Sequence, residues 1–519
     1  MKKPYRVVAM GGGYASAYLL KALKSKIKDG LIHLTIIDRN NYHVFHGLVS
    51  EMLVGKVQSG NIISPARTLF EGADFHNAEI ESVDFSAKKI ITTRFLDGKK
   101  YSVYYDHLVI GLGSFDDVSR FHGLSENTFR LKSYWGVFKL KNHIVNMFEV
   151  AEIEPDPHER ARLLTFVIAG ANYAGIEVAT ELDEYAELLT KKYYKKINYA
   201  EVKIIVINSG KGVLPELAQR YPRLSAYAKK TLDKSHIDIL YNTRLISATP
   251  FEACLSSNKK ISTRTIISCT GNRQSPLFDD WSLKQDDSGR LETDEYLNVF
   301  KEQQIWAAGD CASVPHPKGG RCPPLAIFAM TQGKHIGKNI IRTIEKKPLK
   351  PYRFTGLGDA CCLSRRKAVG HLYGLQVTGL LAWITWRLFM LIYLPVNNRR
   401  VRTLFDWAVW PFIGREIVSI HANNPVSVNE LYFDRQQLIL KQGDDGNGMY
   451  IITEGEVEVY KDTQEEPQEI LATLKTGEYF GDIAVFKNCQ RTANVRAKTR
   501  VKLLELKRGA AMLMKESIH

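Results

Sequence analysis

The sequence predicts an α/β protein with two Rossmann-type dinucleotide-binding units, a helical segment on a membrane surface, and a small β-barrel at the carboxy-terminal end. Three observations predict it. Two glycine-rich turns, Met10-Gly11-Gly12-Gly13-Tyr14 and Ala169-Gly170-Ala171-Asn172-Tyr173-Ala174-Gly175, each leave an apolar strand and enter a helix. Between Arg365 and Arg415, basic and aromatic side chains interleave. Beyond residue 425, short alternating runs are punctuated by glycine turns.

Composition sets the bounds. With 519 residues the chain has room for several domains, and 45% hydrophobic with 24% charged residues is ordinary for a globular protein. Seven cysteines without regular spacing argue against a disulfide framework and for a reducing compartment. Neither C-x-x-C nor C-x4-C follows the first glycine turn, which removes a mechanism that relays electrons through a redox-active disulfide beside a flavin. Met1-Lys2-Lys3-Pro4 leads directly into the first strand without a signal or transit pattern, so the protein is expected on the cytoplasmic face of the cell membrane. The net charge of +15 calls for an acidic partner. No nucleic-acid fold or clustered basic recognition helix is present, so nucleic acid is excluded and a membrane surface is preferred.

In chain order, Gly11 supplies the tight bend of the first turn. Gly13, without a Cβ, lets a pyrophosphate approach the amino terminus of the following helix. Ser16 stands where a third glycine is usual. The next strand, Leu34-Thr35-Ile36-Ile37, ends at Asp38, whose carboxylate can accept both hydroxyls of an adenosine ribose. This assigns FAD to the first unit. His43 and His46 have no third ligand in the sequence, and no metal is expected. Glu154-Pro155-Asp156-Pro157-His158-Glu159 reads as a loop ahead of the second unit. In the second turn, Gly170 and Gly175 keep the pattern but Asn172 replaces the middle glycine, which weakens nucleotide binding; asparagine tolerates a left-handed φ there. A long helix is expected over Ile176–Ile197. The strand Val202–Ile207 ends at Asn208 in place of an acid, with Lys211 nearby, so NADPH stands beside NADH as the reductant.

The apolar run Gly379–Leu394 is broken by Arg387 and stopped by Pro395, too short and too charged to span a bilayer. With the tryptophans and arginines around it, it suits an amphipathic element lying in the interface, arginines toward anionic lipid. Truncation near Tyr352 is expected to release the protein.

These segments resemble the two-dinucleotide-domain flavoproteins, and residues 5 to about 418 resemble the type II NAD(P)H:quinone dehydrogenases. The resemblance rests on both glycine turns, the crossover segments Tyr105–Ser114 and Thr265–Gly271, the Gly309-Asp310 turn, Cys322-Pro323-Pro324-Leu325-Ala326 leading into a helix, and the tryptophan- and arginine-rich anchor. It implies that Gly113 and Asp310 contact the flavin, Asp310 at the ribityl chain, with Cys311 a small buried thiol. Glu177 would lie near nicotinamide and flavin, orienting the one or assisting proton movement to a quinone. Ala326, Ile327 and Gln332 would lie on the quinone side, although two of the family's three glutamines are replaced. A soluble acceptor, or a flavin-bearing sensor or scaffold that no longer turns over, are the alternative readings, and a homodimer is left open.

Leu440–Asp444, Met449–Tyr460, Gly477–Val485 and Gln490–Ala497 resemble a cyclic-nucleotide-binding domain over residues 425–519. The Met449–Tyr460 stretch reads as a strand pair about a glycine turn. The resemblance implies that Arg491 neutralises a cyclic phosphate, flanked by Thr492, while Gly481 and a short helix at Ile483-Ala484 offer backbone donors and Asp482 binds the ribose. Asp482 replaces a glutamate and Gln490 a proline, and the chain ends soon after the last strand, leaving little room for a helix over the base. The expected organisation is a flavin domain from 1–125 and 285–355, a nicotinamide domain at 126–284, an anchor at 356–420 and the terminal domain.

Overall fold

The computed structural model describes residues 3–116, 124–299, 304–420, 428–446, 448–461, 469–487 and 489–507. The chain forms two compact units, Met1–Ser419 and Ile420–His519. The expected domain edges at 425 and 519, and the room left for a covering helix, lie outside the described residues.

The larger unit is built on two five-stranded parallel sheets. In the first the order is Ile305–Ala307, His107–Ile110, Tyr5–Met10, Ile32–Asp38, Asp74–Asn77. In the second it is Phe129–Arg130, Thr265–Ser268, Thr165–Ala169, Lys203–Ile207, Ile237–Leu240. The middle strands are apolar where both faces are covered, as parallel strands must be: Val7–Met10 and all five residues of Thr165–Ala169 are buried. Each middle strand ends in a glycine turn, which opens the helix Tyr14–Lys28 in the first half and Tyr173–Lys192 in the second. The second helix ends before the expected Ile197.

Helix Tyr14–Lys28 packs closely on helix Ala326–Ile344. A Cβ on Gly333 would stand 2.0 Å from the carbonyl oxygen of Ala15, and one on Gly337 2.7 Å from the Cβ of Ala22, so the two glycines set this contact. The stretch 154–159, expected as a loop, is one only as far as Asp156. Pro157 opens a short helix to Leu163, capped by Asp156, whose carboxylate accepts from the N–H of His158 at 2.9 Å. Proline suits the first helical position because its missing N–H has no partner there.

The segment read as an amphipathic anchor begins as a three-stranded antiparallel sheet, Gly358–Cys362, Ala368–Leu372 and Leu375–Thr378. Only then come the helices Gly379–Tyr393 and Asn397–Ile413. Their inner faces bury Ala382, Trp386, Thr403 and Trp407, and Trp386 and Trp407 join the core around the second sheet. Their outer faces expose Leu380, Leu381, Ile384, Leu388, Leu404, Phe405, Phe412 and Ile413. Among the described residues no helix is long and apolar enough to cross a membrane.

The smaller unit is a pair of four-stranded antiparallel sheets. Strands Gly448–Glu454 and Glu456–Lys461 do not pair with each other, contrary to the sequence reading. The first pairs with Tyr479–Phe480 and Val501–Lys507, the second with Glu469–Lys475 and Asn494–Ala497. Gly455, at φ +88°, carries the chain from one sheet to the other, and a Cβ there would meet the Arg500 carbonyl at 2.3 Å.

Candidate active site

The two glycine turns differ at the helix terminus they serve. Gly11 sits at φ +97°, where a Cβ would lie 2.4 Å from the carbonyl oxygen of Gly111, so only glycine makes this bend. Gly13, the N-cap of helix Tyr14–Lys28, makes no side-chain cap, and the nearest atom to a Cβ there is 3.9 Å away. The amino-terminal N–H groups therefore stay available and the approach is open. Ser16 donates its hydroxyl to the carbonyl of Gly11, pinning the turn from within the helix. Asp38 ends its strand as expected and accepts from the N–H groups of Gly12 and Asn40, each at 2.6 Å. His43 serves the same turn: it is buried, its Nδ1 lies 3.3 Å from the Gly12 carbonyl, its ring meets Tyr14 edge-on at 4.5 Å, and burial depresses its pKa to about 3.

At the second turn the helix caps itself. Asn172 is the N-cap of helix Tyr173–Lys192 with extended backbone at φ −77°, so its tolerance of a left-handed φ is not called on. Its Oδ1 accepts from the N–H of Gly175 at 3.0 Å and its Nδ2 donates to the carbonyl of Cys269 at 2.7 Å. One of the N–H groups that a pyrophosphate would use is thus already taken. Gly170, at φ +114°, faces Thr270, and a Cβ on Gly175 would stand 1.9 Å from the Gly170 carbonyl oxygen. Asn208 uses both ends of its amide to close the following loop, accepting from Gly210 N–H at 3.0 Å and donating to the Gly212 carbonyl at 2.9 Å. An aspartate could not make the second bond. Lys211 is exposed on that loop.

Between the two sheets lies a polar chain that sequence reading missed apart from Asp310. Ser114 donates to Asp310 at 3.0 Å, and Lys132 donates to Ser114 at 2.7 Å and to Asn272 at 2.6 Å. Phe115-Asp116 and Asn272-Arg273 pair as short antiparallel strands beside it. Burial holds the Lys132 ammonium below its ordinary pKa despite Asp116. Gly113 is at φ +69° with open space around it. Cys311 is buried and burial pushes its thiol up to about 12, so it packs as a small apolar side chain. On helix Ala326–Ile344, Ala326 is exposed and Ile327 half-buried, while Gln332 turns inward and accepts from the N–H of Gly309 at 2.8 Å, bracing the Gly309-Asp310 turn.

Glu177 lies in the second turn of its helix, and its carboxylate accepts from the N–H of Cys362 at 3.0 Å. Burial, with Glu181 and Glu51 nearby, pushes its pKa up to about 8 against that hydrogen bond and the indole of Trp386. Further along the same helix a buried charge network ties the anchor to the body. Lys56 reaches Glu181 at 2.7 Å and Glu184 at 3.0 Å. Glu184 also takes Arg415, the Ser364 hydroxyl and, at 2.9 Å, the N–H of Arg365. Although burial opposes its charge, Lys56 and Arg415 bring Glu184 down to about 2. Glu51, 1% exposed, accepts from Arg387 at 2.8 Å and from the indole N–H of Trp407 at 2.5 Å. The guanidinium of Arg387 lies between the rings of Trp383 and Trp407 at 4.2 and 4.4 Å. Arg387 and Arg415 therefore face inward, correcting the expectation that the anchor arginines point to lipid: buried carboxylates need counter-charges, and these supply them.

In the smaller unit Arg491 is buried and donates to the carbonyls of Gly481 and Gly448, both at 2.7 Å. Gly481 is at φ +81°, with the arginine 2.7 Å from where a Cβ would stand. Asp482 begins the short helix Asp482–Lys487, and Thr492 is exposed.

Two parallel sheets, each handing a glycine turn to a helix amino terminus and joined through hydrogen-bonded crossovers, define an oxidoreductase of the two-dinucleotide class. Residues 5–333 match the pyridine nucleotide-disulphide oxidoreductase family, and the chain belongs to it. None of its seven cysteines forms a disulfide, and none lies on the helix after the first glycine turn. Residues 430–514 match the cyclic nucleotide-binding domain. The chain is 27% identical to a probable NADH dehydrogenase of Dictyostelium discoideum, over 80% of this chain and 91% of that protein. It is also 27% identical to the type II NADH:quinone oxidoreductase NdhA of Mycobacterium tuberculosis, over 79% of this chain and 88% of that protein. Among solved structures, NDH2 from Plasmodium falciparum in complex with NADH shares the fold, with a TM-score of 0.73 at 17% identity over 80% of this chain and all of that one.

Proposed function

We propose that the protein is a FAD-dependent NAD(P)H dehydrogenase that works on a membrane surface and passes electrons to a quinone. The observation that carries this reading is the first glycine turn: an uncapped helix terminus, an open approach at Gly13 and a ribose-binding carboxylate at Asp38 fit an adenine dinucleotide. FAD, when bound, supplies the two-electron chemistry. Segments 1–125 and 285–355 would hold it and 126–284 would hold the nicotinamide, with Gly170, Gly175, Asn208 and Lys211 at that second site. Asp310, steadied by Ser114 and Gln332, would orient the ribityl chain. Lys132 places a positive charge beside Asp310 and so favours a more electron-rich flavin. Glu177, protonated near neutrality, would hold a proton for the acceptor, since a quinone that takes up two electrons also takes up protons.

The quinone assignment draws on the type II NADH:quinone oxidoreductases to which the chain is similar, and the side of approach on Ala326 and Ile327 at the start of their helix. The exposed apolar faces of Gly379–Tyr393 and Asn397–Ile413 support attachment to a single leaflet, and seven cysteines without a disulfide support the cytoplasmic one. The test is steady-state oxidation of NADH and NADPH with a soluble quinone analogue. Turnover with the quinone is expected. Anaerobic bleaching of the flavin by NADH or NADPH that the quinone fails to reverse would reassign the acceptor, and failure of both nucleotides to bleach it would leave a sensor or scaffold.

A further inference from the structure

We propose that the cavity between the Ser364–Arg366 turn and the two anchor helices holds the phosphate headgroup of one anionic phospholipid. The inference rests on the membrane reading above and adds a defined site to it. The cavity has a volume of about 540 Å³.

Its floor is a strained turn. Ser364, Arg365 and Arg366 take φ values of 56°, 46° and 60°, three successive non-glycine residues in the left-handed region. Each costs about 1 kcal/mol, and such a run persists only where surrounding contacts fix it. Here Glu184 fixes it, through the Ser364 hydroxyl and the Arg365 N–H. The turn thereby presents two arginines at the cavity instead of the glycines that would adopt it freely.

The charges lining the cavity are unequally matched. Lys56 and Arg387 have the carboxylates described above, and Arg365 has Asp183 at 3.2 Å and Glu187 at 2.6 Å. Arg366 is exposed and has no ion pair or hydrogen bond among the described residues. A matching ligand brings negative charge and several acceptor oxygens.

The remaining wall is apolar, from Leu380, Trp383, Trp407 and Pro411. It runs onto the exposed apolar residues Leu381, Ile384, Phe412 and Ile413 of the same helices. The ligand must therefore also carry a hydrophobic tail. Inorganic phosphate has the charge without the tail, and a quinone the tail without the charge; an anionic phospholipid has both.

The test uses the full chain purified in detergent, as wild type, Arg366→Gln and Arg402→Gln. Arg402 is an exposed anchor arginine that does not line the cavity, so the two variants lose equal charge. Flavin content and Tm report folding. Native mass spectrometry is expected to find one phosphatidylglycerol per chain on wild type and Arg402→Gln, and none on Arg366→Gln. Binding to phosphatidylcholine vesicles containing phosphatidylglycerol is expected to weaken about fivefold in Arg402→Gln, as for any basic residue near an anionic surface. In Arg366→Gln it should weaken about 30-fold, as for a lost charge-assisted hydrogen bond. Equal weakening by the two variants would overturn the site and leave the membrane reading standing, whereas absence of vesicle binding by wild type would overturn both. Arg366-dependent binding of inorganic phosphate with no lipid retained would overturn the lipid assignment.

Discussion

At the scale of single residues, two side chains carry predictions. Asn172→Gly removes the amide from the N–H of Gly175 and is expected to lower the KM for NADH and NADPH several-fold; a urea melt should show about 1 kcal/mol of lost stability, mainly from the bond to the Cys269 carbonyl. An unchanged KM would show that the cap does not compete with nucleotide. Glu177 binds a proton in the folded protein up to about pH 8, whereas an unperturbed glutamate releases it near its ordinary 4.5. The folded state thus holds the extra proton between these values, and Glu177's contribution to stability falls as pH rises through that window. Thermal melts from pH 5 to 9 should show a slope that Glu177→Gln flattens. Asn172 and Glu177 were both legible in the sequence, because their place after a strand and a glycine turn is local information. What the Asn172 amide bonds to was not, since the Cys269 carbonyl arrives from a strand 97 residues away.

At the scale of elements, the anchor is fastened by charge as much as by apolar contact. Arg415→Ala leaves Glu184 short of a partner and is expected to cost about 3 kcal/mol in chemical denaturation. Truncation near Tyr352 is consequently a poor test of membrane attachment, because it strips Glu51 of Arg387 and Trp407 and Glu184 of Arg415. Changing Leu381, Phe405 and Phe412 to serine is the better test: sedimentation with anionic vesicles should fall sharply while Tm holds, and unchanged sedimentation would place the contact elsewhere. The sequence disclosed the aromatic and basic composition of these helices. It could not disclose which arginines turn inward, because Glu51 lies more than 300 residues before its partners.

At the scale of the whole molecule, purified protein should be yellow and release FAD on denaturation, and a colourless preparation that FAD cannot restore would end the oxidoreductase reading. In the terminal domain a cyclic phosphate would have to displace the carbonyls of Gly481 and Gly448 as acceptors for Arg491. Weak heats are therefore expected on calorimetric titration with cyclic AMP or cyclic GMP, and tight binding would mean that the arginine is freed cheaply. The alternation of apolar side chains announces this domain but not that Gly448–Glu454 and Glu456–Lys461 lie in different sheets. Alternation records which face of a strand is buried and not which neighbour it pairs with, and Gly455 redirects the chain into the other sheet.

At the proposed nicotinamide site, the self-capped helix at Asn172 would make the chain its own competitive inhibitor. If the amide's hold on Gly175 is worth about 0.5 kcal/mol, the terminus is open roughly three-tenths of the time, and apparent dinucleotide affinity falls by about threefold without any change in the contacts of the bound state. Warming or mild denaturant, by loosening the cap before the sheet, would then raise nucleotide affinity over a narrow range before it fell.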